Sequence, residues 1–156
     1  MAALAVLAAC SSVPGREANR SDPLSQDEYV EQANEICEQT RNEAAQIAAP
    51  SLADPAAVVA AIDESVAIQR RALRRLRNLE APERDLPGVE NWLDLTAGAI
   101  TEAENVGEGV ADGDQEAIMA ALDEGETLVA EAEEFAAAYG LTECSTADPE
   151  DDEQAP

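Results

Sequence analysis

The sequence predicts an all-α protein, an antiparallel up-down four-helix bundle closed by one disulfide, on three observations. Alanine and glutamate, both good helix formers, abound, whereas aromatic residues make up 3% of the chain and the types that favour strands are sparse. Apolar residues recur at three- and four-residue steps in four stretches parted by Pro, Gly and Asp breaks. Finally, Cys37 and Cys144 stand at the two ends of the patterned region as an even pair.

The first helix opens at Ser25, which with Glu28 forms a capping box. Tyr29, Ala33, Ile36, Thr40, Ala44 and Ile47 set its stripe, so it is expected to run to about Ala49, where Pro50 stops it. Asp54-Pro55 is an N-cap followed by a first-turn proline. Val59, Ile62, Val66, Leu73, Leu76 and Leu79 then mark a second helix that ends by Pro82. Pro87-Gly88 opens the third, with Val89, Trp92, Leu93, Thr96, Ile100, Ala103, Val106 and Val110 on its buried face. Gly98, Gly107 and Gly109 weaken that helix but permit close approach of a neighbour. Asp114 caps the fourth, whose expected stripe is Ile118, Leu122, Gly125, Val129, Ala132, Phe135 and Tyr139, and Gly140 suits its end. Short links between helices of this length imply antiparallel neighbours.

Ahead of the helices, residues 1–9 read MAALAVLAA and Cys10 follows. Leu7-Ala8-Ala9-Cys10 resembles the bacterial lipobox, in which small residues fit a narrow cleavage site and the following Cys thiol carries a diacylglycerol. The charged residues that usually precede such an apolar run are missing, so the true start codon is expected upstream. The division that follows is a signal peptide remnant at 1–9, a lipidated Cys10 with a polar tether at 10–24, a four-helix domain at 25–145, and an acidic, disordered tail at 146–156. The expected location is the extracytoplasmic face of the cell membrane, reached through the lipid anchor. In that oxidising compartment a Cys37–Cys144 disulfide is favoured over two buried thiols, because Cys144 sits in a polar stretch where a free thiol would be exposed.

Charge narrows the functions further. The chain has 34 acidic and 9 basic residues, a formal charge of −25. All the basic residues are Arg. A nucleic-acid partner needs a basic footprint and is excluded, as is attachment to an anionic bilayer through protein charge alone. A GC-rich coding bias and a high-salt habitat both account for the missing Lys. Arg70, Arg71, Arg74, Arg75 and Arg77 concentrate positive charge on the second helix, against Asp63 and Glu64 alone. Two readings stand: pairing with the acidic helices on either side, or a contact for an anion or an envelope partner.

Chemistry is thinly supplied. With no His and no Lys there is no obvious base or activated nucleophile. The di-iron carboxylate bundles require Glu-x-x-His motifs, which the chain lacks. Two free Cys without His fall short of a zinc set. Asp112-Gly113-Asp114-Gln115-Glu116 has the alternating acids of a calcium loop but not its full length, and a turn with an N-cap explains it. No enzyme, cofactor or resident metal is expected.

The runs DEYVEQANEICEQTRNEA, LRNLEAPE and AAAYGLTEC resemble a group of small secreted or lipid-anchored actinobacterial proteins. Members pair a Cys in the first helix with one after a terminal GL..C. The resemblance covers about 120 residues; its motifs are structural, so it implies a fold rather than a reaction. The expected role is a non-enzymatic interaction module of the cell envelope, contacting another protein or a wall polymer. The alternative is a small-ligand or metal-ion binding protein serving a membrane transporter.

Overall fold

Four helices and a short 3-10 turn follow one another along the chain: α1 (Gln26–Ala44), α2 (Pro55–Arg77), α3 (Leu86–Asp112), α4 (Gln115–Tyr139) and the turn Thr142–Cys144. The structure, a computed structural model, describes residues 23–145. The leader, Cys10, most of the tether and the acidic tail lie outside the described residues. No helix among the described residues is long and apolar enough to cross a membrane.

Helix starts follow the local chemistry. The Ser25 hydroxyl accepts from the Glu28 amide at 3.3 Å, and the Ser25 amide donates to the Glu28 carboxylate at 2.9 Å. The Ser25 hydroxyl also donates to the Glu28 carboxylate at 2.7 Å, and with the Ser25 amide it holds that carboxylate below the usual range. Asp54 accepts from the amides of Ala56 and Ala57, and Asp114 from that of Ala117. The Asp112-Gly113-Asp114 segment is thus a turn feeding a cap. Gly140 ends α4 with φ +92°, where a side chain would be strained. The amide of Leu141 then reaches back to the Ala136 carbonyl at 2.8 Å, and Leu141 is fully buried, as in a Schellman ending.

Two expectations need correction. α1 stops at Ala44, five residues short of Ala49. Residues 45–47 tighten into three-residue turns, Gln46 to Glu43 and Ile47 to Ala44. Pro50 disfavours helical geometry at Ala49, and Ala48 and Ala49 are exposed, so no packing offsets that preference. The middle of the α4 stripe also needs correction, whereas its end, with Ala132 buried and Phe135 and Tyr139 packed on the core, is as expected. Ala121, Ala132 and Ala136 are buried, whereas Leu122 is 50% and Val129 36% exposed. Small residues lie inward because α4 approaches α3 closely. A Cβ added at Gly109 would come within 2.7 Å of the Ile118 side chain and 3.2 Å of its backbone nitrogen. Gly98 similarly faces Leu128, and Gly107 faces Ile62 of α2.

Packing is sequential and antiparallel: α1 on α2, α2 on α3, α3 on α4. The chain's four aromatic residues gather at one end. Trp92 stacks near Phe135, Phe135 lies 5.2 Å from Tyr139, and Tyr29 meets Tyr139 edge-on at 6.1 Å. Such pairs add about 0.5–1.5 kcal/mol each beyond their buried area. The Tyr139 hydroxyl donates to Asp85 at 3.0 Å. The Tyr29 hydroxyl is buried and has no hydrogen-bond partner.

α1 meets α4 at this end and otherwise rests on α2 and the 3-10 turn. The closure is covalent. Cys37 in α1 and Cys144 in the turn form a disulfide with their Cα atoms 5.0 Å apart, enclosing a 107-residue separation. Asn34 reinforces it from both sides of its amide, donating to the Gly140 carbonyl at 3.1 Å and accepting from the Glu143 amide at 3.0 Å.

Candidate functional site

Because α1 is the shortest helix and α4 leans on α3, a gap is left between α1, α2, α3 and the 3-10 turn. It forms a half-open groove of about 730 Å³, within the range of small-molecule sites. Its floor is apolar: Leu73 and Leu76 from α2, with Trp92 and Ile100 from α3. Their backbones sit in long regular helices, and each of these side chains is at most 7% exposed. One wall is the Cys37–Cys144 disulfide.

The polar groups that reach the groove are largely committed elsewhere. Thr40 donates its hydroxyl proton to the Ile36 carbonyl at 2.7 Å, and Thr96 donates to the Trp92 carbonyl at 2.8 Å. Gln69 donates to the Ser65 hydroxyl at 3.1 Å. On the rim, Arg41 of α1 pairs with Glu143 of the 3-10 turn, both side chains being about half exposed. The arrangement presents an apolar contact surface edged by hydroxyl, amide and indole groups.

The arginines of α2 do not converge. Arg70 forks onto Glu104 of α3 and Arg77 reaches Asp94 of α3 at 3.0 Å. On the opposite side, Arg71 pairs with Glu43 of α1 at 2.7 Å and Arg75 donates to Gln39 at 2.9 Å. Arg74 is exposed and belongs to no ion pair among the described residues. Arg70, Arg71 and Arg77 thus pair with acidic residues of the flanking helices, in the manner of the first of the two sequence readings, whereas Arg74 and Arg75 do not. The Arg70 guanidinium holds Glu104 below the usual carboxylate range. Both groups are solvent-accessible, so water and salt screen the bridge and it adds little to stability.

Of the other residues singled out from sequence, Cys37 and Cys144 are brought together and Cys10 lies outside the described residues. Among the described residues, no three His, Cys, Asp or Glu side chains gather to hold a metal ion. Sequence reading missed the groove. Its local signals were Thr40 and Thr96, hydroxyls standing in otherwise apolar stripes, and both line it. No protein-family profile matches the chain, and neither a curated protein nor a solved structure matches it.

Proposed function

We propose that this chain is a lipid-tethered, extracytoplasmic binding module without chemistry of its own, and that the groove beside the disulfide holds a small, mainly apolar ligand. One observation carries the reading: an apolar recess of about 730 Å³, floored by buried Leu73, Leu76, Trp92 and Ile100 and walled by a disulfide. The tether rests on the Leu7-Ala8-Ala9-Cys10 string and the polar stretch after it. A lipid on Cys10 would keep the module at a membrane surface, where apolar molecules concentrate.

The test is recovery of the occupant. The full chain, extracted under native conditions from its own membrane, should yield a small molecule in near-stoichiometric amount on organic extraction. Gln69→Phe, which places a ring over the groove, should lose it. In the same cells Cys10→Ser should move the protein out of the membrane fraction. Clean extracts from both the native chain and the Gln69→Phe chain would sink the ligand reading.

A second reading has its own observation. Met119, Leu122 and Val129 are exposed on α4 at 60%, 50% and 36% and lie along one helix face. An interaction module of the cell envelope would use such a strip for a partner protein. Photocrosslinkers at Leu122 and Val129 would then capture that partner, while groove positions would not.

A further inference from the structure

Resting on the reading of the groove as a ligand site, we infer that the Cys37–Cys144 disulfide is a thiol-exchange site that governs it: a dithiol reductant opens the groove, and a seated ligand favours the closed, oxidised pair. Both cysteines line the groove and are half-buried rather than sealed in the core. The recess that admits an attacking thiolate is thus the recess a ligand would fill.

The bond holds one wall in place. Thr142, Glu143, Cys144 and Ser145 form the side of the groove that follows α4. Leu141, fully buried, fixes the chain just before them. Beyond Leu141 the turn is tied to α1 by the disulfide, by the Glu143 amide donating to Asn34 at 3.0 Å and by the Arg41–Glu143 pair. That ion pair lies at the exposed rim, where water screens it. A freed Cys144 thiol is a weak donor, and the Ala33 carbonyl stands 3.6 Å from its sulfur. Without the covalent tie, local opening of the turn breaks few bonds. The floor residues belong to α2 and α3, which pack on each other independently of the turn.

The nucleophile comes from the reductant. A thiolate of the dithiol attacks one sulfur of the pair and displaces the other cysteine. The second thiol then attacks the mixed disulfide and displaces the remaining cysteine. The dithiol leaves as a disulfide, having given two electrons, and its two protons end on Cys37 and Cys144. A ligand that binds the closed form more tightly must, by linkage, favour the oxidised pair by the same factor.

The test uses the full chain with Cys10→Ser, which leaves Cys37 and Cys144 as its only cysteines. N-phenylnaphthylamine is the apolar probe and dithiothreitol the dithiol. Trp92, the chain's one tryptophan, lies in the floor and reports the probe by energy transfer. Reduction should raise the probe's dissociation constant about tenfold. In buffers of reduced and oxidised dithiothreitol, saturating probe should raise the ratio that half-reduces the pair by that same factor, with thiols counted by alkylation and mass spectrometry. The reduced chain should keep its helical circular dichroism. Gln69→Phe and Thr40→Phe, which crowd the groove from different helices, should each abolish probe binding and the shift in ratio.

Equal affinity in both redox states, with no shift in the ratio, overturns the coupling and leaves the groove as a ligand site. No saturable energy transfer in the oxidised chain overturns the groove as a site for such a molecule. Loss of helical signal on reduction means that the bond holds the whole fold rather than one wall, and overturns the gate. Binding that survives both blocking variants places the probe elsewhere and overturns the assignment.

Discussion

The two flanks of α3 are built by different means. Toward α4, helix meets helix closely enough that Gly98 and Gly109 stand where any side chain would press on Leu128 or Ile118. The α4 residues turned inward there are mostly alanines. Toward α1, the neighbours stand apart, a groove remains, and closure depends on a disulfide, the Asn34 amide and the Arg41–Glu143 pair. One flank is held by close dispersion contacts over many atoms, the other by a few specific bonds. A close-packed seam leaves no room for a ligand, whereas a seam held by point contacts can leave a recess and still keep its shape.

Breaking the covalent contact gives the largest expected effect. Reduction of Cys37–Cys144, or replacement of both by Ala, should lower unfolding free energy by about 4 kcal/mol on loop-closure grounds. Denaturant melts with and without reductant measure it. Hydrogen exchange should rise first in α1 and the C-terminal turn, with α3 and α4 amides keeping their protection. Equal loss on both flanks would erase the contrast drawn above.

Next in size are two glycine substitutions of opposite sign. Gly109→Ala forces a Cβ against the Ile118 backbone and should cost about 1–3 kcal/mol. Gly125→Ala in α4 meets the Glu102 Cβ at 3.4 Å, an ordinary contact, and should gain up to about 1 kcal/mol from helix propensity. Matched thermal melts of the pair show whether tightness is local to the upper part of the seam or runs its whole length.

A third prediction concerns Tyr29, whose buried hydroxyl lacks a partner. Tyr29→Phe removes an unsatisfied group and should leave stability unchanged or raise it by about 1 kcal/mol. Burial pushes the Tyr29 phenol up from 10.0 to about 12, and Tyr139 rises to about 12 through burial and the Asp85 carboxylate it bonds. The unfolded chain therefore loses these protons first as pH rises. Stability present below pH 10 should fall between pH 10 and about 12. Tyr29→Phe should flatten that fall, and an unchanged alkaline profile would refute the assignment.

The smallest effects belong to α2. Arg70→Ala should lower the melting temperature only slightly and lose that effect in high salt, and Arg74→Ala should do less still. A large effect at Arg74 would mean that the exposed guanidinium has a role beyond folding.

Much of this fold could be read from residues alone, because its determinants are local. Ser25 with Glu28, Asp54 with Pro55, Asp114 and Gly140 each act within a few positions of themselves. The cysteine pair was legible from its even count and from the polar stretch around Cys144. What escaped was set by relative helix position. A stripe drawn at helical spacing cannot tell Leu122 from Ala121 as the inward residue, because one step around the helix decides it. The helix that comes closest prefers the smaller side chain. The early end of α1 and the lean of α4 onto α3 together leave the groove, and neither is written in any one segment. The α2 arginines, conspicuous in sequence, divide between two neighbours once the helices are placed.

The disulfide also decides how the domain answers a mechanical load. A pull applied at Leu24 and Ser145 travels through α1 as far as Cys37, crosses the sulfur–sulfur bond, and leaves at Cys144. The 107-residue span between the cysteines carries none of that tension. Roughly 350–390 Å of contour length stays locked behind one covalent bond, and only the short ends can pay out. For a protein proposed to be moored at one end, drag on the other would stretch little more than the start of α1, and the groove would keep its floor under strain.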